Sequence, residues 1–453
     1  MDVAIEDGVD ILSLSLGGST KPFHDDAIAL RAYSAMEKGI FVSCPAGNKD
    51  PTPRSVGNEA PWILTVGAST LDRIIKATTV LGNKEEFQGE SDFQPKDFPS
   101  TLSPLVYAGS NSSDINAPYC STTSLNNTDL TGKIVLCEVG VGVTRVAKGQ
   151  VVKAAGGVTM ILMNRMQDGF TTSADAHVLI ATDVTYEDGQ KILAYINSTS
   201  NPLATITFQG TIIGDKNAPV IASFSSRCHS RATPGILKSD IIGPGVNILA
   251  AWPTSVENST KPKPTFNIIS DTVNLGNNTI QDENHEPANL FAIGAGHVNP
   301  SKANDPGFVY DIQPKDYVPY LCGLNYTNRE VGIIVQQKIN CLEVGSIQQG
   351  QLNYPSFSII LGSTPQTYTR TVTNVGEASS SYTVDVVSPP GVDVKVEPTV
   401  LNCTELNQKM SYQVMFSQSA NLSSTGDVEG FLKWKSTKYS VRSPIAAYLT
   451  RIF

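Results

Sequence analysis

Hydrolysis at a carbonyl asks for a nucleophile, a base to take its proton, a carboxylate to orient that base, and donors for the developing oxyanion. The chain has five histidines, His24, His177, His229, His285 and His297. None shows the His-x-x-x-His spacing that sets two imidazoles on one helix face, so no metal site is predicted. His24 stands beside Asp25 and Asp26 at the start of a helical pattern, where a solvated first turn is its expected place. Cys228 and His229 are adjacent, and neighbours on a strand point to opposite faces, which argues against a thiol–imidazole dyad. Ser270 closes the apolar run 266–270, and a loop of Pro45, Ala46, Gly47 and Asn48 closes another apolar run.

The elements that position this loop are read from periodicity. Residues 9–16 form an apolar strand pattern, Gly17 and Gly18 a turn, and residues 25–38 an amphipathic helix with Gly39 in the C-cap role. A second strand pattern, 40–44, follows at once. Strand, helix and strand make one crossover unit of a parallel sheet, with both loops at the strands' carboxyl ends. Ligands of open α/β sheets bind there.

Ser15-Leu16-Gly17, Ala46-Gly47-Asn48 and the stretch from Asn58 to Gly67 closely resemble the subtilisin-like serine proteases, specifically the plant subtilases, and the resemblance covers nearly the whole chain. It implies that Ser15, Leu16 and Gly17 receive an extended peptide by strand addition, and that Pro45, Ala46 and Gly47 form the opposite wall of the pocket. Pro45 departs from the small residue usual in the family. Its fixed φ and missing N–H bear on the shape of that wall. Asn48 matches the family's oxyanion donor. The family's catalytic Asp and His lie upstream of the segment at which this sequence starts, and none of the five histidines has the family's His-Gly-Thr-His context. In the family a segment like 266–270 continues into Gly-Thr-Ser-Met, whose serine heads a long buried helix. Here it continues Asp271-Thr272-Val273, placing Val273 at the nucleophile's position. A few tens of residues are skipped. Losing four or five buried apolar side chains of such a helix removes on the order of 10 kcal/mol, as much as a domain's whole stability, so a loosely packed catalytic remnant is expected.

The resulting expectation is an α/β chain: a partial subtilisin-like parallel-sheet catalytic domain, an inserted protease-associated α/β domain, and a C-terminal fibronectin-III-like β-sandwich. The boundaries read 1–97 for the first catalytic part, 104–210 for the insert, 211–345 for the remaining catalytic part and 352–453 for the sandwich, with a polar linker over 90–104. In the insert, strand patterns at 133–137, 158–163 and 204–208 flank helical ones at 143–155 and from Thr185 to 196. From 352 onward, period-two strands at 368–372, 382–386, 392–396, 412–416 and 430–434 carry the sandwich. In the family the insert is linked to substrate access and dimerisation, which implies peptide or protein substrates and a homodimer through it. No cofactor is implied.

A net charge of -9 without a basic run makes nucleic acid an unsuited partner, and no apolar window is long enough to span a membrane. The first residues lack the build of a signal peptide, and Met1 reads as an internal start, with earlier sheet strands expected upstream. Eight Asn-x-Ser/Thr acceptors, at Asn111, Asn126, Asn197, Asn258, Asn277, Asn325, Asn402 and Asn421, point instead towards the extracellular location of the family. Of the seven cysteines, Cys120 with Cys137 and Cys322 with Cys341 are pairs to consider, against free buried thiols.

Overall fold

In the computed structural model, Phe41–Pro45 lies between Ile11–Ser13 and Leu64–Ser69, parallel to both, and Ile241–Pro244 completes a four-stranded sheet. The structure describes all residues except 19, 50, 111–113, 127, 141, 228, 253–264, 269–278, 299–303, 420–425 and 451–453. The described chain divides into two units. One comprises Met1–Ala68, Phe224–Gly243 and Ala288–Phe453; the other comprises Ser69–Ser223 and Pro244–Pro287.

In the first unit, the crossover helix is Ala27–Glu37. Asp26 sets its start by accepting from the Ile28 and Ala29 amides at 2.8 and 3.3 Å, and Gly39 ends it at φ +80°. A short helix, Asp2–Glu6, precedes the sheet. The expected strand over 9–16 keeps only Ile11–Ser13 in the ladder. Its last residues turn away to the site described below. The core here is well filled. Trp62 donates to the Ala29 carbonyl at 2.9 Å and makes edge contacts with Phe23, Tyr33 and Tyr317, with centroids 5.2 to 5.5 Å apart. Among the described residues this part of the chain is therefore packed, where a loose core was expected; residues 269–278, on which that expectation rested, lie outside the described residues. Helices Tyr317–Cys322 and Asn328–Val335 cover it, the second opened by a Thr327–Glu330 capping box, and the Cys322–Cys341 disulfide closes the segment.

The sandwich follows in the same unit. One sheet runs Phe308–Val309, Gln366–Asn374, Lys409–Gln418, Val392–Glu397, and the other Phe357–Leu361, Ser440–Leu449, Gly426–Lys435, Ser380–Val387, Val400–Cys403. All five period-two segments read from the sequence lie in these strands. Their inward residues, among them Val372, Tyr382, Tyr412, Val414, Phe416, Leu432 and Trp434, form one core.

In the second unit eight strands form one sheet around Ile134–Glu138 and Thr159–Met163. Leu203–Ile213 pairs antiparallel with Arg73–Leu81 as well as with Ser103–Tyr107, so the sheet closes on itself. Alternate residues of Ile134–Glu138 serve two cores: Ile134 and Leu136 on one face, Val135 and Cys137 on the other. Helix Arg145–Ala154 starts at Thr144, which accepts from Ala147 N, and helix Tyr186–Ser198 starts at Thr185, which accepts from Asp188 N. Cys120 and Cys137 form a disulfide. The stretch expected to begin a linker at Glu90 instead begins as the strand Gly89–Glu90, with Glu90 and Ser91 buried. Four acceptor asparagines, Asn126, Asn197, Asn325 and Asn402, are described, and all are exposed; the other four lie outside the described residues. No helix among the described residues is long and apolar enough to cross a membrane.

Candidate active site

Because Ile11–Ser13 and Phe41–Pro45 run parallel in register, Ser13 opposite Ser43, both chains leave the sheet at the same end. Ser15, Leu16 and Gly17 emerge there as an exposed strip, Leu16 being 55% exposed. Pro45 ends its strand opposite Val66, and Ala46 is buried. Gly47 sits at φ +111°, and a Cβ there would meet Ser226 Oγ at 2.8 Å. Only glycine fits both the backbone and the space. Ser226 holds the loop from the other side: its N–H donates to the Gly47 carbonyl at 2.9 Å, and its Oγ accepts from Lys49 N at 3.1 Å. Asn48 follows with an exposed side chain that makes no hydrogen bond to a described residue.

One side chain ties the two walls together. Asn58, buried and left-handed at φ 53°, donates through Nδ2 to the Leu16 carbonyl at 2.9 Å and to the Pro45 carbonyl at 2.8 Å. Lys49 Nζ adds a second tie to the Gly18 carbonyl at 3.2 Å. The neighbouring Glu59, also buried, accepts from Thr20 Oγ1 at 2.7 Å, from Ala232 N at 3.0 Å and from Ser230. Sequence reading placed Asn58 in the motif without seeing its role; a positive φ and a two-carbonyl reach are set by tertiary structure. Asn58→Asp keeps a residue that tolerates the left-handed backbone but removes the donor. It is expected to cost about 2 kcal/mol, read as a lower urea midpoint with unchanged slope.

The candidate acids, bases and nucleophiles are engaged elsewhere. Cys44, next to Pro45, is buried, and burial pushes its thiol up to about 11, away from thiolate chemistry. His24 is not solvated as expected; it lies 3.4 Å from Glu330 and edge-on to Tyr326. His229 pairs with Asp427, His285 stacks on Phe170, and His297 Nδ1 lies 3.0 Å from the Val298 carbonyl. Buried His177 meets Asp183 at 3.2 Å, and with Asp175 the three offer ligand atoms within 4.8 Å of one another. The sequence reading did not see this group. Arg145 already takes up its charge, 3.1 Å from Asp183 and 4.0 Å from Asp175, and also donates to Asn164, so the cluster is an ion-pair network. Cys228, Ser270, Asp271 and Val273 lie outside the described residues.

A crossover sheet with an exposed strip at its carboxyl end, a closed α/β unit and a β-sandwich define a multidomain chain of α/β and β-sandwich parts. Residues 101–192 match the PA domain and residues 351–447 a fibronectin type-III domain. The chain is 41% identical over 490 residues to subtilisin-like protease SBT1.7 of Arabidopsis thaliana, covering 98% of this chain and 64% of that protein. It is 39% identical over 498 residues to SBT1.2 of the same plant, covering 99% and 64%. Among solved structures, the psychrophilic subtilisin-like protease Apa1 from Pseudoalteromonas sp. AS-11 overlaps 47% of this chain and 56% of its own at 14% identity, with a TM-score of 0.23. The chain is a homologue of the plant subtilisin-like proteases over nearly its whole length, with PA and fibronectin type-III domains in place. It spans 64% of the length of these two relatives.

Proposed function

We propose that this chain is a subtilisin-like serine endopeptidase by descent that has lost its nucleophile and binds peptide without cleaving it. The observation that carries the proposal is the sequence at 266–276, where Phe-Asn-Ile-Ile-Ser runs directly into Asp-Thr-Val-Asn-Leu-Gly. This junction is internal, so the reading holds whatever precedes Met1. The alignment with SBT1.7 extends over 490 residues, more than the 453 of this chain, as expected if the relative carries segments without a counterpart here. Ser15, Leu16 and Gly17 would receive the peptide as an added strand, with Pro45, Ala46 and Gly47 as the far wall and Asn48 as the inherited oxyanion donor. The exposed strip, the free Asn48 amide and the Asn58 tie favour this assignment. No cofactor enters such chemistry. Two disulfides and eight acceptor asparagines favour an extracellular location.

A second reading, that the insert and the sandwich alone hold a protein partner or a second copy of this chain, is favoured by the separate cores of those two parts. The first test is labelling of the purified 453-residue chain with a fluorophosphonate, reading intact mass before and after, beside an active relative as control. A folded chain is expected to gain no adduct while the relative labels fully. An adduct mapping to a serine of this chain would mean a rebuilt nucleophile and end the proposal.

A further inference from the structure

We infer that the cleft between the outer face of the sandwich and the segment around His229 is a binding site for a peptide carboxylate. Ligand pockets run from about 300 to 1,000 Å³, and here a cavity of about 410 Å³ is lined by Arg54, His229, Arg231, Phe291, Ile360 and Tyr448, among others, all within one unit. Arg54 and Arg231 are exposed, and neither has a hydrogen-bond or ion-pair partner among the described residues. His229 does: its Nε2 lies 3.1 Å from Asp427 Oδ1, and its ring sits 4.1 Å from that of Phe291. Asp427 is thus committed to the imidazole. Among the described residues the two guanidiniums have no ion-pair partner, on a chain whose net charge is -9.

The floor is apolar. Ile360 and Tyr448 are opposite each other in the parallel pairing of Phe357–Leu361 with Ser440–Leu449, and they are 56% and 44% exposed. The two side by side make a contiguous exposed apolar patch, the kind of surface that marks an interaction site, and both line the cleft. A guanidinium fork matches a carboxylate in two parallel hydrogen bonds, and an aliphatic side chain beside that carboxylate would cover Ile360 and Tyr448. An acidic peptide offers both features, whereas the phosphate backbone of a nucleic acid offers only charge. The site is separate from the Ser15–Gly17 strip, and the inference does not depend on the loss of the nucleophile.

The test uses the full chain and three peptides carrying an uncharged BODIPY label, read by anisotropy at physiological salt. The first is Leu-Glu-Leu-Glu-Leu-Phe with an amidated terminus, the second its Gln-for-Glu counterpart, also amidated, and the third that counterpart with a free terminus. The amidated neutral peptide is expected not to bind. Binding of the first identifies a side-chain carboxylate as the ligand, and binding of the third a terminal one. In either case Arg54→Gln with Arg231→Gln is expected to weaken binding at least tenfold. Both arginines are exposed and unpartnered, so the double variant should keep the parent's thermal transition. Ile360→Asp, which sets a negative charge on the floor, is expected to weaken binding at least as much. Equal binding of neutral and acidic peptides, affinity unchanged in the arginine variant, or no binding of any peptide would overturn the inference.

Discussion

Replacing Arg370 by Ala is expected to cost the sandwich about 3–5 kcal/mol, the largest effect of any single substitution considered for this chain. Arg370 lies at 1% exposure on Gln366–Asn374, inward by parity with Tyr368 and Val372. Its Nε donates to the Tyr354 carbonyl at 2.8 Å, Nη2 to the Ser356 carbonyl at 3.2 Å, and Nη1 to the Thr369 carbonyl at 3.0 Å. The guanidinium plane also lies 4.4 Å from the centroid of the Phe357 ring. One planar group thus fastens the chain entering the sandwich, from Tyr354 to Phe357, onto the second strand. Burial lowers its pKa to about 10, with Tyr412, Tyr310 and Tyr368 opposing the shift, so the group is still charged at neutral pH. Alanine would leave three carbonyls without their donor and a hole beside Phe357, and each effect alone costs one to a few kcal/mol. Lysine is not expected to rescue the loss, since one ammonium cannot reproduce three donors held in a plane. Urea denaturation followed through the fluorescence of the chain's tryptophans, with Trp434 buried in the same core, reads both variants. Arg370→Lys at parental stability would show that charge, rather than the fork, is what the site needs.

Arg370 also marks the limit of what the sequence discloses. The alternation of Tyr368, Arg370 and Val372 assigns it to the inner face, but composition cannot say which carbonyls await it, because Tyr354 and Ser356 arrive from outside the strand. The crossover at the candidate site was legible for the opposite reason. Asp26, Gly39 and the apolar runs around them act within a few residues of one another, so local rules suffice. The first strand is shorter than its apolar run, and beyond it the Leu16 carbonyl is taken by Asn58 instead of a ladder neighbour. No periodicity records that competition. The Cys120–Cys137 and Cys322–Cys341 pairs stayed open on sequence grounds for a similar reason, since seven cysteines allow many pairings until the strands and helices carrying them are placed.

The polar stretch after Gly89 read as linker for the same lack of local signal, and its first residue carries the second large effect. Glu90 is 6% exposed, and its carboxyl accepts from Ile75 N at 3.2 Å, from Asn247 Nδ2 at 2.9 Å and from Thr172 Oγ1 at 2.5 Å. Burial nonetheless raises its pKa from 4.5 to about 7, with those three donors opposing and Asp183 adding to the rise. Asp183 is its register partner on Ile180–Val184, but Asp183 has Arg145 for company whereas Glu90 has only neutral donors. Glu90 therefore takes the proton. Between pH 4.5 and 7 the folded state holds this proton while the unfolded state has released it. Stability is thus full below about 4.5 and falls as pH rises to about 7, by on the order of 3 kcal/mol. Asp175, raised to about 6 chiefly by burial, adds a loss of the same sign. Asp305 and Asp385, held below the ordinary carboxylate range by Lys438 and Lys435, titrate at lower pH and leave this window clear. The melting transition of the unit that holds Glu90 is expected to move down between pH 4.5 and 7.5, and Glu90→Gln, which cannot titrate, should flatten most of that slope. A transition that rises across the window, or keeps its slope in the Gln variant, would mean that Glu90 stays ionised in the fold and that its three donors outweigh its burial.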